Sequence, residues 1–191
     1  MNQKINLKQI QILTRVFPIK FIKINFNELT VYIDSKYIEM FLLFLKNHIL
    51  FQYKVLTSIA GVDYPQKKYR FELVYDLLSI QYNNRLRVKI FVNSLNIVDS
   101  CELIFNSANW YECEIFDMFG IFFLNHSNLK RILTDYGFEG YPLRKDFPLS
   151  GYFELRYDED QKVVVCEAIE LSQEFRSFNF HIPWSQKQIS N

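Results

Sequence analysis

Along the first third of the chain, apolar positions alternate with polar ones and then recur at intervals of three and four. Phe21 to Phe26 reads Phe, Ile, Lys, Ile, Asn, Phe, and Leu29-Thr30-Val31-Tyr32-Ile33 follows as a β-rich run, which predicts a strand near Leu29 to Ile33. From Lys36 to Leu50 the positions Tyr37, Met40, Phe41, Phe44, Leu45 and His48 share helical spacing. They predict a helix with one buried face and Ser35 as its N-cap. Gly61 and Pro65 in Ile59-Ala60-Gly61-Val62-Asp63-Tyr64-Pro65 read as turn signals. Tyr69 to Ile80 reads as a strand, Asn83-Asn84 as a turn, and Leu86 to Val92 as a half-buried strand with basic residues on one face. Together these two strands predict an antiparallel hairpin.

A second helix is expected from Ser107 to Phe119, capped by Asn106 or Ser107 and ended at Gly120 by a left-handed residue. On a helical wheel Tyr111, Ile115, Met118 and Phe122 form its core stripe, while Trp110 and Phe116 point elsewhere. A helix apolar on two sides is normally buried on two sides, so a partner chain is expected over the second. Gly137, Gly140, Pro142, Pro148 and Gly151 then impose an irregular path. A second hairpin is predicted from Tyr152 to Tyr157 and Val163 to Cys166, turning at Asp158-Glu159-Asp160. Phe175, Phe178, Phe180 and Trp184 carry no periodicity that would bury them within the chain and read as docking anchors. The expected class is α+β. Residues 1–123 form an α/β core with a mostly antiparallel sheet flanked by helices, and residues 124–191 form a loop-rich C-terminal extension that docks on partners.

Composition narrows the functions available. At 191 residues with 49% hydrophobic side chains, the chain can bury a single sizeable core. Its 22 basic and 21 acidic residues leave a net charge of +1, so no long-range field draws nucleic acid. The run Met40 to Leu45 falls far short of the roughly 20 apolar residues that span a bilayer. Met1 to Arg15 has neither the apolar core of a secretion signal nor the Arg-rich character of a transit peptide, and is read as mature. Cys101, Cys113 and Cys166 form no C-x-x-C pair, which disfavours disulfide, zinc and iron–sulfur frameworks. Alanine occurs only at positions 60, 108 and 168 in a chain rich in Phe, Ile, Lys and Asn, a usage that points to AT-rich codons and an organelle genome.

Glu112, Glu114 and Asp117 share the second helix, and three carboxylates raise the possibility of metal or acid–base chemistry. Di-metal bundles need Glu-x-x-His spacing, and no histidine follows at that interval. Ion pairing with Lys130, Arg131, Arg144 and Lys145 is the expected role, because a buried carboxylate stripped of its partner costs about 3–5 kcal/mol. His126 has no nucleophile motif beside it and reads as a loop-packing residue. Tyr136-Gly137-Phe138-Glu139-Gly140 lacks the pattern of a dinucleotide loop. No catalytic, cofactor-binding or metal-ligating residue is therefore assigned. The competing readings are a carboxylate-dependent metal enzyme and a free-standing protein-binding adaptor.

The run from Asn109 to Phe123, Asn-Trp-Tyr-Glu-Cys-Glu-Ile-Phe-Asp-Met-Phe-Gly-Ile-Phe-Phe, resembles the signature helix of the 30 kDa subunit family of respiratory NADH:ubiquinone oxidoreductase, or complex I. Leu129 to Gly140 and Pro142 to Gly151 continue the match, and Glu154 to Asp158, Val165 to Glu167 and Glu170 to Arg176 resemble the family's tail. Three positions depart from the pattern. Cys113 stands for the family arginine, Ser127 for a proline and Tyr141 for a histidine, which removes one arginine from the expected salt network.

The resemblance implies a non-catalytic core subunit of the hydrophilic arm, packed on the large quinone-pocket subunit and neighbouring iron–sulfur subunits in a hetero-oligomer. It implies that FMN, the iron–sulfur clusters and ubiquinone are held by other chains. It also implies a place on the matrix side of the mitochondrial inner membrane. Structural or interface roles fall to Trp110, Glu112, Glu114, Asp117, Lys130, Arg131, Arg144, Lys145, Asp146, Phe175, Arg176 and Trp184.

Overall fold

The computed structural model describes residues 7–26 and 28–178 and divides the chain into two compact units, Met1–Leu149 and Ser150–Asn191. In the first, helix α1 (Leu7–Val16) precedes strands β1 (Phe21–Asn25) and β2 (Glu28–Ile33). A short 3₁₀ turn (Ser35–Tyr37) leads into α2 (Ile38–Asn47), followed by strands β3 (Val55–Asp63), β4 (Phe71–Ser79) and β5 (Asn84–Val92). Strand β6 (Val98–Asp99), helix α3 (Ala108–Phe119) and strand β7 (Phe123–Leu124) complete it. The sheet order is β1-β2-β5-β4-β3, with only the β2–β5 pair parallel. This is the mostly antiparallel α+β arrangement expected, and β4–β5 is the expected hairpin.

One face of the sheet is apolar and closed by helices. Val31, Ile33, Leu73, Tyr75, Val88 and Ile90 join Ile38, Phe41, Leu42 and Leu45 of α2 and Leu13 of α1 in one core. Phe17 seats the end of α1 by packing edge-on against Phe41 (5.0 Å) and Phe44 (5.3 Å). The buried stripe of α2 is Ile38, Phe41, Leu42 and Leu45, whereas Tyr37 and Met40, expected inside, are exposed. Ser35 is not its cap, because it opens the 3₁₀ turn, whose last residue, Tyr37, holds the N-cap position of α2.

The stretch from Ile59 to Asp63 is strand rather than turn. A register shift between Leu56 and Ser58 spoils the alternation of β3. Gly61 is there for close approach: a Cβ would lie 2.7 Å from the Phe119 ring of α3. Helix α3 therefore sits directly on β3, with Tyr111 Oη donating to the Thr57 carbonyl at 2.9 Å.

Helix α3 ends where expected, at Gly120 with φ +74°. That left-handed residue takes Phe122 off the wheel and leaves it exposed; Ala108, Ile115 and Phe119 are buried, and the expected Tyr111 and Met118 pack against the core half-buried. Ser107 makes no side-chain cap; its hydroxyl donates to the Leu56 carbonyl at 3.4 Å. The first unit continues to Leu149, beyond the boundary expected at residue 123, because residues 124–149 are hydrogen-bonded to α3 and to Asp63. The second unit contains the expected hairpin, β8 (Phe153–Asp158) paired antiparallel with β9 (Val163–Ala168). Among the described residues no helix is long and apolar enough to cross a membrane.

Candidate functional site

The polar residues singled out by sequence gather where α3 meets the segment after β7, which crosses it as a strap. Asp117 is wholly buried and receives the strap end-on. Its Oδ2 accepts the N–H groups of Ile132 (3.1 Å), Leu133 (2.7 Å) and Thr134 (2.9 Å), and its Oδ1 accepts the Thr134 hydroxyl at 2.6 Å. Burial raises its pKa, but these donors outweigh burial and leave the carboxyl below its ordinary value. Arg131 Nη1 adds a longer contact at 3.5 Å and donates to the Gly140 carbonyl at 3.0 Å.

Glu112, one turn earlier, is also fully buried, yet among the described residues no lysine or arginine reaches it. Ser100 Oγ donates to its Oε2 (2.6 Å) and the Cys101 N–H to its Oε1 (2.7 Å). Burial pushes its pKa up despite these bonds. His126 Nε2 is 3.8 Å from Glu112 Oε2. The His126 ring is held by donating Nε2–H to the Asn109 carbonyl (3.2 Å) and accepting the Asn128 N–H at Nδ1 (3.1 Å), which selects one tautomer. Glu102 ties down the next residue, accepting the Ser127 hydroxyl (2.6 Å) and N–H (2.9 Å) as well as Asn109 Nδ2 (2.6 Å). Those bonds draw its pKa down to about 2.

The expected helix-to-loop salt network is thus largely a network of backbone N–H groups and hydroxyls. Among the described residues only the Arg131–Asp117 pair joins the basic runs to the α3 carboxylates. Arg144 instead donates Nε to the Phe119 carbonyl at 2.7 Å, satisfying an orphan acceptor at the end of α3. Lys145 contributes its backbone N–H to Asp63 at 2.8 Å, and Lys130 is exposed on the strap. Glu114 and Trp110 lie on the exposed side of α3. Phe175 and Arg176 are exposed in the second unit, while Trp184 and Phe180 lie outside the described residues.

Asp63 and Arg70 escaped sequence analysis. Arg70 holds buried Asp63 through Nε and Nη2, both at 2.8 Å, and reaches Asp146 at 2.9 Å. The signal was their position at facing ends of β3 and β4, legible only once Asp63 is assigned to a strand. Each family departure fits its place. Cys113 is buried against the Asn128 carbonyl (3.6 Å) and His126 Nε2 (3.9 Å). Tyr141 lies between two guanidinium groups, Arg144 at 4.3 Å and Arg131 at 5.1 Å from its ring centre. The three α3 carboxylates do not converge on a point: Glu112 faces Ser100, Asp117 faces the strap, and Glu114 faces outward. Among the described residues no group of three His, Cys, Asp or Glu could hold a metal ion.

The family profile described as "Respiratory-chain NADH dehydrogenase, 30 Kd subunit" matches residues 31–153, a stretch that includes strands β3 to β5, α3 and the strap. The chain belongs to this family. It is 54% identical to the NADH-ubiquinone oxidoreductase subunit 9 of Reclinomonas americana over 85% of this chain and 80% of that protein. Identity to the subunit 9 of Prototheca wickerhamii is 53% over 84% of this chain and 83% of that one. The Solanum tuberosum protein named NADH dehydrogenase [ubiquinone] iron-sulfur protein 3 is 54% identical over 81% of both chains. A chain in the solved structure of the membrane-bound sulfane sulfur reductase, an archaeal respiratory membrane complex, superposes with a TM-score of 0.64 at 25% identity, covering 83% of this chain and 97% of that one. As a member of the 30 kDa subunit family, the chain is a structural component of the oxidoreductase's peripheral arm, not an enzyme on its own. The metal-enzyme and free-standing-adaptor readings give way to that one.

Proposed function

We propose that this chain is a non-catalytic scaffold on the matrix side of the mitochondrial inner membrane, encoded in the organelle genome, that braces the quinone-binding module of NADH:ubiquinone oxidoreductase. In this reading it packs on the large quinone-pocket subunit and neighbouring iron–sulfur subunits, and the FMN, clusters and quinone belong to those other chains. The observation that carries the reading is the use made of Asp117. Among the described residues, every bond it accepts comes from the strap, Arg131 included, so the carboxylate is spent on fixing a surface rather than on a substrate. A strap so fixed presents its exposed side chains at constant positions, as a permanent interface requires.

Resolving gently solubilised membranes on a native gel, with mass spectrometry of each band, tests the proposal. Migration of the chain with NADH-oxidising activity and with the flavin and iron–sulfur subunits is expected. Migration as a small free species would overturn it.

A further inference from the structure

The second unit, taken by itself, contains an open apolar surface. In the β8–β9 ladder Phe153 pairs with Ala168, Leu155 with Cys166 and Tyr157 with Val164, so these six side chains share one face. That face is apolar and open: Phe153 is 65% exposed, Leu155 64%, Tyr157 53% and Val164 63%. The opposite face is mixed, with Val163 and Val165 among Glu154, Arg156, Asp158 and Glu167, and Arg156 grips Glu167 through Nη2 (2.8 Å) and Nε (3.2 Å). A two-stranded ribbon is marginal in water by itself and becomes stable when its apolar face packs on something.

We infer that the apolar face of this hairpin is an interaction surface for an apolar patch with a basic rim on a partner subunit of the oxidoreductase. The inference rests on the subunit role proposed above and deepens it. The four exposed side chains offer roughly 500 Å² of apolar surface, in the upper part of the range for the largest patch on a monomer, which is often functional. A stable interface takes about 800 Å² from each partner. The hairpin face supplies a little over half of that.

Charge selects the partner. Between residues 150 and 178 there are seven carboxylates and three cations, although the whole chain carries +1. A second copy would set one acidic unit against another, and an anionic lipid surface would be repelled. A basic rim around an apolar patch matches both features.

Cys166, exposed within the apolar face, reports on its cover without any mutation. Native alkylation with N-ethylmaleimide, read by mass spectrometry, compares the intact oxidoreductase with the isolated full chain, with buried Cys101 and Cys113 as internal references. Cys166 is expected to react at least about tenfold more slowly in the assembly. Equal rates would overturn the inference, and if the chain still co-migrated with the oxidoreductase, the subunit role itself would stand. A matched pair of variants reads the same face by function. Leu155→Asp, on the apolar face, is expected to lower assembled oxidoreductase several-fold, whereas Val163→Asp, on the opposite face of the same ribbon, leaves it near normal. Equal losses would mean that hairpin stability is being measured and would overturn the assignment to one face. Glu170→Lys reads the rim: a several-fold loss of assembly supports a basic partner, and an unchanged level removes that part of the proposal.

Discussion

Arg70 grips Asp63 with two nitrogens at 2.8 Å and, with the same guanidinium, reaches Asp146 at 2.9 Å, so the end of the β3–β4 hairpin and the Arg144–Asp146 turn share one charge centre. Asp63 is buried and Asp146 exposed, which makes the first contact the stronger of the two. The Arg70 hydrogen bond is the largest cause holding the Asp63 carboxyl below its ordinary pKa.

Arg70→Ala leaves Asp63 with the Lys145 N–H as its remaining donor. Stranding a buried carboxylate costs about 3–5 kcal/mol, and partial exposure of Arg70 puts the expected loss near the lower end, about 3 kcal/mol. Asp146→Asn, which removes only the exposed contact, is expected to cost less than about 1 kcal/mol. Urea denaturation of the two variants checks the order; equal losses would contradict it.

At the strap, Asp117→Ala removes four short hydrogen bonds together. Thr134→Val removes one of them and is expected to cost about 1 kcal/mol, while Asp117→Ala costs several times more because three N–H groups lose their acceptor. In the cell, Asp117→Ala is expected to lower the amount of assembled oxidoreductase and leave NADH-to-quinone turnover per assembled complex unchanged. Slow turnover in a normal quantity of complex would speak against a structural role for this carboxylate.

Sequence legibility follows the length and regularity of the signals. The β4–β5 hairpin, α3 and the β8–β9 hairpin were readable because alternation or helical spacing persists in each. Strand β3 was hidden by its register shift and by Gly61, whose reason lies on another element, the Phe119 ring. Helix α1 was missed because Lys8, Gln9 and Gln11 interrupt its apolar positions, and only packing of Leu13 and Phe17 on α2 reveals its buried side. For the site, residue type identified Asp117 and Arg131 but could not identify their partners. Backbone N–H groups carry no sequence signature, and they and hydroxyls, more than the lysines and arginines, satisfy the two buried acids of α3.

Glu102 gives the clearest pH dependence. Its carboxyl is held at about 2 by the Ser127 and Asn109 bonds, below the ordinary value of 4.5. A depressed folded-state pKa contributes stability that is complete above about 4.5 and drains as pH falls toward 2. Acid titration followed by the fluorescence of exposed Trp110, one residue from Asn109, is therefore expected to show the Ser127 turn loosening in that window. Glu102→Gln should flatten that limb of the stability curve; an unchanged acid limb would refute the assignment.

Gly120→Ala tests the junction of α3 with the strap. At φ +74° a Cβ is strained by about 1 kcal/mol, and here it would also lie 2.5 Å from Tyr141 Cζ and 2.6 Å from an Arg144 Nη atom. Those two side chains must move, and the Arg144 bond to the Phe119 carbonyl goes with them. The expected loss is roughly 2–3 kcal/mol in thermal or urea unfolding, whereas a loss below 1 kcal/mol would mean that the strap yields without cost.

Glu112 should behave in the opposite sense to Glu102. Burial raises its pKa, so whatever stability its protonation contributes is present at low pH and declines as pH rises through the folded-state value. Glu112→Gln keeps the shape and an oxygen acceptor, and it removes the need to bury a charge, so at neutral pH it is expected to lie within about 1 kcal/mol of wild type. Glu112→Ala leaves the Ser100 hydroxyl and the Cys101 N–H without an acceptor in a closed site and is expected to cost about 2–4 kcal/mol. Unfolding measured across pH separates the two effects. If Gln proved as damaging as Ala, the charge of Glu112 rather than its shape and hydrogen bonds would hold this part of the fold.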